Sequence, residues 1–288
     1  MSTKSNLIGL TIGTLALLSC GGGKGQSEQD REEELASETV LPDTLFMETE
    51  EELLDGEDAN PHLDDVFDDF LFAYIHSPKL RRERTAPELQ LLHSERPAET
   101  LENFDPGFEF AFLSGEFLTS LYGSSAQMQA EDDEELEGDT LVCVQRINLN
   151  DGTIRNFRFQ RQEGRWLLGA IEESTFGDDR ELGSFLQFYA RFCNDSTVQS
   201  QSIANPLRVV LQDEEEEDGY IDGTIDADQW RSFCPDVPSG IISNIRREDQ
   251  HYNDRRIVLR KSGLSNGMQE VFTFTRDHDS WRLSRYEN

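Results

Sequence analysis

The chain has 288 residues, with 58 Asp and Glu against 26 Lys and Arg, for a formal net charge of −32. Phosphate backbones are gripped by clustered Lys and Arg, so this balance excludes nucleic acid as a partner, and it repels anionic lipid headgroups as well. The length admits two ordinary domains. In chain order, Lys4 precedes an uncharged run from Leu7 to Leu18 that leads into Ser19 and Cys20. A positive start, a short apolar middle and a small residue at the cut have the layout of a secretory signal. A bilayer span needs about 20 apolar residues. The run is shorter and includes Gly9, Thr11, Gly13 and Thr14, so a cleaved signal fits it better than an anchor helix.

Leu17-Leu18-Ser19-Cys20 resembles the lipobox of bacterial lipoproteins, in which the Cys is acylated and becomes the mature N-terminus. The resemblance implies a signal peptide over residues 1–19, lipidation at Cys20 and residence in the cell envelope as an outer membrane lipoprotein, on the periplasmic or the surface side. The membrane hold is then expected from acyl chains and not from a basic patch. From Ser27 to Asp69 there are eighteen Asp or Glu and one Arg, and Gly21 to Gly25 is Gly-rich. Such a stretch cannot bury enough apolar surface to order itself, and its charges extend it. Residues 20–61 are therefore expected to form a disordered acidic tether.

Beyond it lies an internal repeat. Val66, Phe67, Phe70, Leu71 and Tyr74 recur at helical spacing, and Phe70, Leu71 and Tyr74 correspond to Phe185, Leu186 and Tyr189. Asp151-Gly152 is followed by Phe157, Phe159 and Trp166; Asn266-Gly267 is followed, 115 residues later, by Phe272, Phe274 and Trp281. The Gly dipeptides are hairpin signals. Their flanks, Leu141 to Asn148 and Ile154 to Gln160, alternate as strands do. Each copy, 62–175 and 179–288, thus reads as helices first and a three-stranded antiparallel meander last. The predicted class is α+β: two tandem related domains, each with N-terminal helices packed on a curved antiparallel sheet.

This order of elements resembles the nuclear transport factor 2-like cone. The wording Asp65-Val66-Phe67-Asp68-Asp69-Phe70-Leu71, with Ser77 to Arg84 and the late Trp strand, also resembles a Bacteroidetes-type lipoprotein family of unknown function that carries such domains behind a lipidated Cys. The resemblance departs from the pattern at Pro87 to Arg96 and at Glu131 to Glu137. It implies no catalytic residues and no cofactor.

Candidate chemistry is sparse. Phe70, Tyr74, Phe157, Trp166, Phe185, Tyr189, Phe272 and Trp281 are read first as core, since aromatics at structural spacing pack, and second as the lining of a cone-shaped pocket. Asp218, Asp222 and Asp226 partly match a calcium loop, but Tyr220 and Gln229 stand where two ligands belong. No metal is expected, and calcium is kept as an alternative. Of the three cysteines after Cys20, Cys193 and Cys234 are the candidate disulfide pair, with three buried thiols as the rival reading. No nucleophile elbow, phosphate loop or paired metal-binding His is present. The expectation is a binding protein for an unknown protein or small-molecule ligand, not an enzyme. The alternatives are an envelope hydrolase acting on a glycan or other small substrate, or a calcium-dependent adhesion module.

Overall fold

The computed structural model describes residues 62–133, 139–213, 219–233, 235–264 and 268–288. They belong to one compact unit. The expected signal, Cys20 and the tether lie outside the described residues.

The first half opens with α1, Phe67–His76, which buries Phe67, Phe70, Leu71 and Tyr74 along one stripe. Asp68 and Asp69 occupy its first turn, where negative charge suits the helix dipole. Val66 belongs to the cap and not to the stripe. Ser77 caps α2, Pro78–Arg84, by accepting a hydrogen bond from the Leu80 N–H at 3.2 Å, with Pro78 at the first position. Then come β1 (Thr85–His93), β2 (Glu99–Glu102), a 3-10 helix (Pro106–Leu113), β3 (Phe117–Tyr122), α3 (Ser125–Asp133), β4 (Leu141–Asn148), β5 (Thr153–Gln162) and β6 (Arg165–Thr175). The turn between β5 and β6 places Glu163 at φ 51° and Gly164 at φ 81°, the left-handed pair that a two-residue hairpin requires.

The second half repeats the order: α4 (Gly183–Asn194), α5 (Ser196–Gln201), β7 (Ile203–Gln212), β8 (Tyr220–Ile225), α6 (Trp230–Phe233), β9 (Ile241–Arg247), β10 (Arg256–Gly263), β11 (Gln269–Asp277) and β12 (Ser280–Glu287). The two meanders, β4-β5-β6 and β10-β11-β12, stand where the sequence places them.

Two features depart from the expectation. The sheets are mixed, not wholly antiparallel: β1 runs parallel to β6, and β7 parallel to β12. In each half the strand leaving the helices lies along the last strand of the meander. A parallel pair needs a long crossover instead of a hairpin, and here the rest of the half supplies it. The second departure is an exchange. The first sheet runs β2-β1-β6-β5-β4-β9 and the second β3-β10-β11-β12-β7-β8. Each half therefore gives one edge strand to the sheet of the other.

The exchanged strands meet at Thr119 and Ser243, which hold each other reciprocally. The Thr119 N–H donates to Ser243 Oγ at 2.8 Å and the Ser243 N–H to Thr119 Oγ1 at 2.9 Å. Each hydroxyl also donates to the other residue's carbonyl, at 2.6 and 3.0 Å. That is the isologous contact expected where a local two-fold axis passes. Beside it, Asn244 Nδ2 donates to Gln145 Oε1 and to the Tyr252 hydroxyl, and its Oδ1 accepts from the Leu121 N–H. One apolar cluster fills the first half. The other mixes second-half residues with Leu121, Ile147, Leu149 and Ile154 from the first.

Candidate functional site

The eight aromatic residues singled out from the sequence are all buried, Trp281 being the most exposed at 6%. They fill the two cores. Phe67 meets Trp166 edge-on at 4.9 Å, and in the second half Phe185, the counterpart of Phe70, meets Trp281 edge-on at 5.3 Å. The Tyr74 hydroxyl lies 2.6 Å from Thr85 Oγ1, and the Tyr189 hydroxyl donates to the Pro238 carbonyl at 2.7 Å. The rings pack against one another and both hydroxyls are satisfied, as aromatic side chains in a close-packed core are. Phe70, Tyr74, Phe157, Trp166, Phe185, Tyr189, Phe272 and Trp281 are thus core residues, as the first of the two sequence readings has them.

The calcium alternative meets a strand where it needs a loop. Asp222 sits in β8, and its carboxylate accepts two hydrogen bonds from Arg208 on β7, at 3.0 and 2.5 Å. The Arg208 bonds hold the Asp222 carboxyl below its ordinary range. Asp226 follows the strand, with its N–H donated to Gln229, and Asp218 lies outside the described residues. Among the described residues no cluster of three His, Cys, Asp or Glu is placed to hold a metal ion. Cys193 is a free thiol that donates to the Pro238 carbonyl at 3.5 Å, and burial pushes its pKa up to about 12; Cys234 lies outside the described residues.

A cavity of about 580 Å³ lies over the outer face of the first sheet, with Glu172 and Glu181 among its walls. Arg158 grips Glu172 and Arg246 grips Glu181. Glu172 and Glu181 are thus tied into ion pairs.

Largely apolar walls enclose a cavity of about 460 Å³ where the two sheets exchange strands. Leu71 and Ile75 of α1, Leu113 from the end of the 3-10 helix, Leu118 of β3, Ile245 of β9 and Leu264 after β10 form its greasy wall. Asp68, Glu131, Arg260 and Ser262 supply polar groups. Arg247 lies 3.4 Å from Asp68 and donates to Asp139 at 2.5 Å; Arg260 lies 3.9 Å from Glu131 and 5.0 Å from the Tyr122 ring centroid. Burial raises the Glu131 carboxyl above its ordinary pKa, against the pull of Tyr122 and Arg260.

The repeat explains why space is left here. Ser262, Leu264 and Arg260 stand 115 residues after Ile147, Leu149 and Gln145. Ile147 and Leu149 plug the second core at 0% and 3% exposure, whereas Leu264 is 48% exposed and Ser262 brings no apolar bulk. Asp68, Glu131 and Arg260 were not legible as a site. The one signal available was Ser262, a small polar residue at the place where the other copy carries a core Ile.

Residues 46–288 match a family described as a domain of unknown function (DUF4348). Among solved structures, a crystal structure of an NTF2-like protein from Bacteroides fragilis is similar at a TM-score of 0.67 and 28% identity, covering 78% of this chain and 96% of that one. No curated protein matches the chain.

Proposed function

The chain belongs to the DUF4348 family of domains of unknown function, and from that premise we propose that it is a lipid-anchored envelope protein that binds a small amphipathic ligand between its two NTF2-like halves. The observation that carries this reading is the strand-exchange cavity. Its volume of about 460 Å³ falls within the range of small-molecule sites, and an apolar wall with a few convergent polar groups is their usual make-up. Leu71, Leu118 and Ile245 would take the apolar body of the ligand. Glu131, Arg260 and Ser262 would take a head that is uncharged and forms hydrogen bonds, since the acid and the guanidinium already offset each other's charge. The binding reading is preferred to the hydrolase because Glu172 and Glu181 are engaged by arginines.

Nile red, a neutral apolar dye, should bind the protein with enhanced fluorescence. Ser262→Phe, which places a ring in the cavity, should abolish that signal while circular dichroism stays native. A folded variant with the full dye signal would remove the cavity from consideration. For the anchor, Cys20→Ala should move the full-length chain from the membrane fraction to the soluble one; persistence in membranes through a high-salt wash would refute acylation.

A further inference from the structure

We propose a second binding site, for a ligand that carries a carboxylate or phosphate group, on the inner face of the first sheet. Across that sheet Leu91, Ile171, Phe157, Val144 and Ile245 are paired in register as an apolar row. Two residues further along each strand, and so on the same face, stands a polar row: His93, Glu173, Arg155, Arg146 and Ser243. Arg146 and Arg155 are direct cross-strand partners. Like charges placed opposite one another destabilise a sheet. In the second half the counterparts, 115 residues later, are Lys261 and Glu270, which form an ion pair at 2.7 Å. The first half has replaced an attractive pair with a repulsive one.

The two arginines are not equally compensated. Arg155 lies 3.2 Å from Glu109 and 3.3 Å from Glu173. Glu173 is shared further, with His93 at 3.0 Å and Arg96 at 3.5 Å. Arg146 has no ion pair or hydrogen bond from its guanidinium among the described residues, although it is only half-exposed. Arg146, Arg155, Arg96 and His93 line one cavity of about 420 Å³, whose walls also include the carboxylates of Glu95, Glu173 and Asp178. The His93 side chain is 5% exposed, and its buried Nε2 makes no hydrogen bond, standing 3.6 Å from Glu99. An arginine fork is shaped for two-point contact with a carboxylate or phosphate. An oxyanion seated between Arg146 and Arg155 cancels their repulsion and supplies the partner that Arg146 lacks. The long-range repulsion from the acidic chain is screened beyond about 8 Å at physiological salt, so the nearest charges decide.

Inorganic phosphate and succinate, titrated separately into the purified protein and followed by calorimetry and thermal melting, test this site. At least one should bind and raise the melting temperature, and which one does so distinguishes phosphate from carboxylate recognition. Arg146→Gln should weaken that binding at least tenfold, and in anion-free buffer it should melt no lower than the parent because a repulsion is gone. Arg158→Gln, which breaks the Glu172 pair on the opposite face, should leave anion binding unchanged. Binding of neither anion at millimolar concentration, or equal binding by Arg146→Gln, overturns the proposal.

Discussion

Glu131 shows how one partly buried side chain makes stability depend on pH. Its carboxyl is raised above the ordinary range chiefly by burial, so the folded state holds the proton more tightly than the unfolded chain does. Stability then falls as pH rises from the ordinary carboxylate pKa through the raised value, and the whole penalty is present above it. Glu131→Gln removes the charge but keeps hydrogen-bonding capacity. It should raise the melting temperature at neutral pH and flatten the fall that sets in as pH rises past the ordinary carboxylate pKa. A variant that melts lower at neutral pH with the parent's slope would show that attraction to Arg260 outweighs the cost of burial. No sequence pattern marks this residue. It lies in an acidic stretch, and only its contact with Tyr122, Arg260 and the cavity wall distinguishes it from its neighbours.

At the scale of elements, helices and hairpins were legible because they are written in short-range periodicity. Phe67, Phe70, Leu71 and Tyr74 mark one face of α1, and the alternation from Leu141 to Gln160 marks β4 and β5. β1 was not legible: it contains Pro87, and its burial does not alternate. β8 read as a loop because Asp222 and Gly223 match positions of a calcium loop, whereas pairing with β7 makes it a strand. Asn244 belongs at this scale, since it ties β9 to β4, to β3 and to Tyr252 with no exposure of its own. Asn244→Ala leaves the Leu121 N–H and Gln145 Oε1 without that partner. Each buried group left unpaired costs about 1–3 kcal/mol, so a loss of about 2–4 kcal/mol in denaturant unfolding is expected. A loss within measurement error would mean that the seam does not depend on this amide.

For the whole molecule, the exchange of β3 and β9 makes the halves interdependent. Cut between residues 178 and 179, the first half loses β9 and bares the edge of β4; the second loses β3 and bares the edge of β10. A bare edge is a template for pairing or aggregation. The separate halves should aggregate when expressed alone, and when co-expressed they should co-purify as a one-to-one complex. A single half that is soluble, monomeric and cooperatively folded would contradict the interdependence. Periodicity and repeat spacing were enough by themselves to determine the α+β class and its two related halves, because each depends on neighbours along the chain. Only tertiary structure decided which edge β3 and β9 join, where Ser262 leaves space, and that Arg146 stands opposite Arg155 with no ion pair of its own among the described residues. The physical reason is that a strand edge offers the same N–H and C=O groups to any partner, and a cavity is what remains after segments over a hundred residues apart have packed.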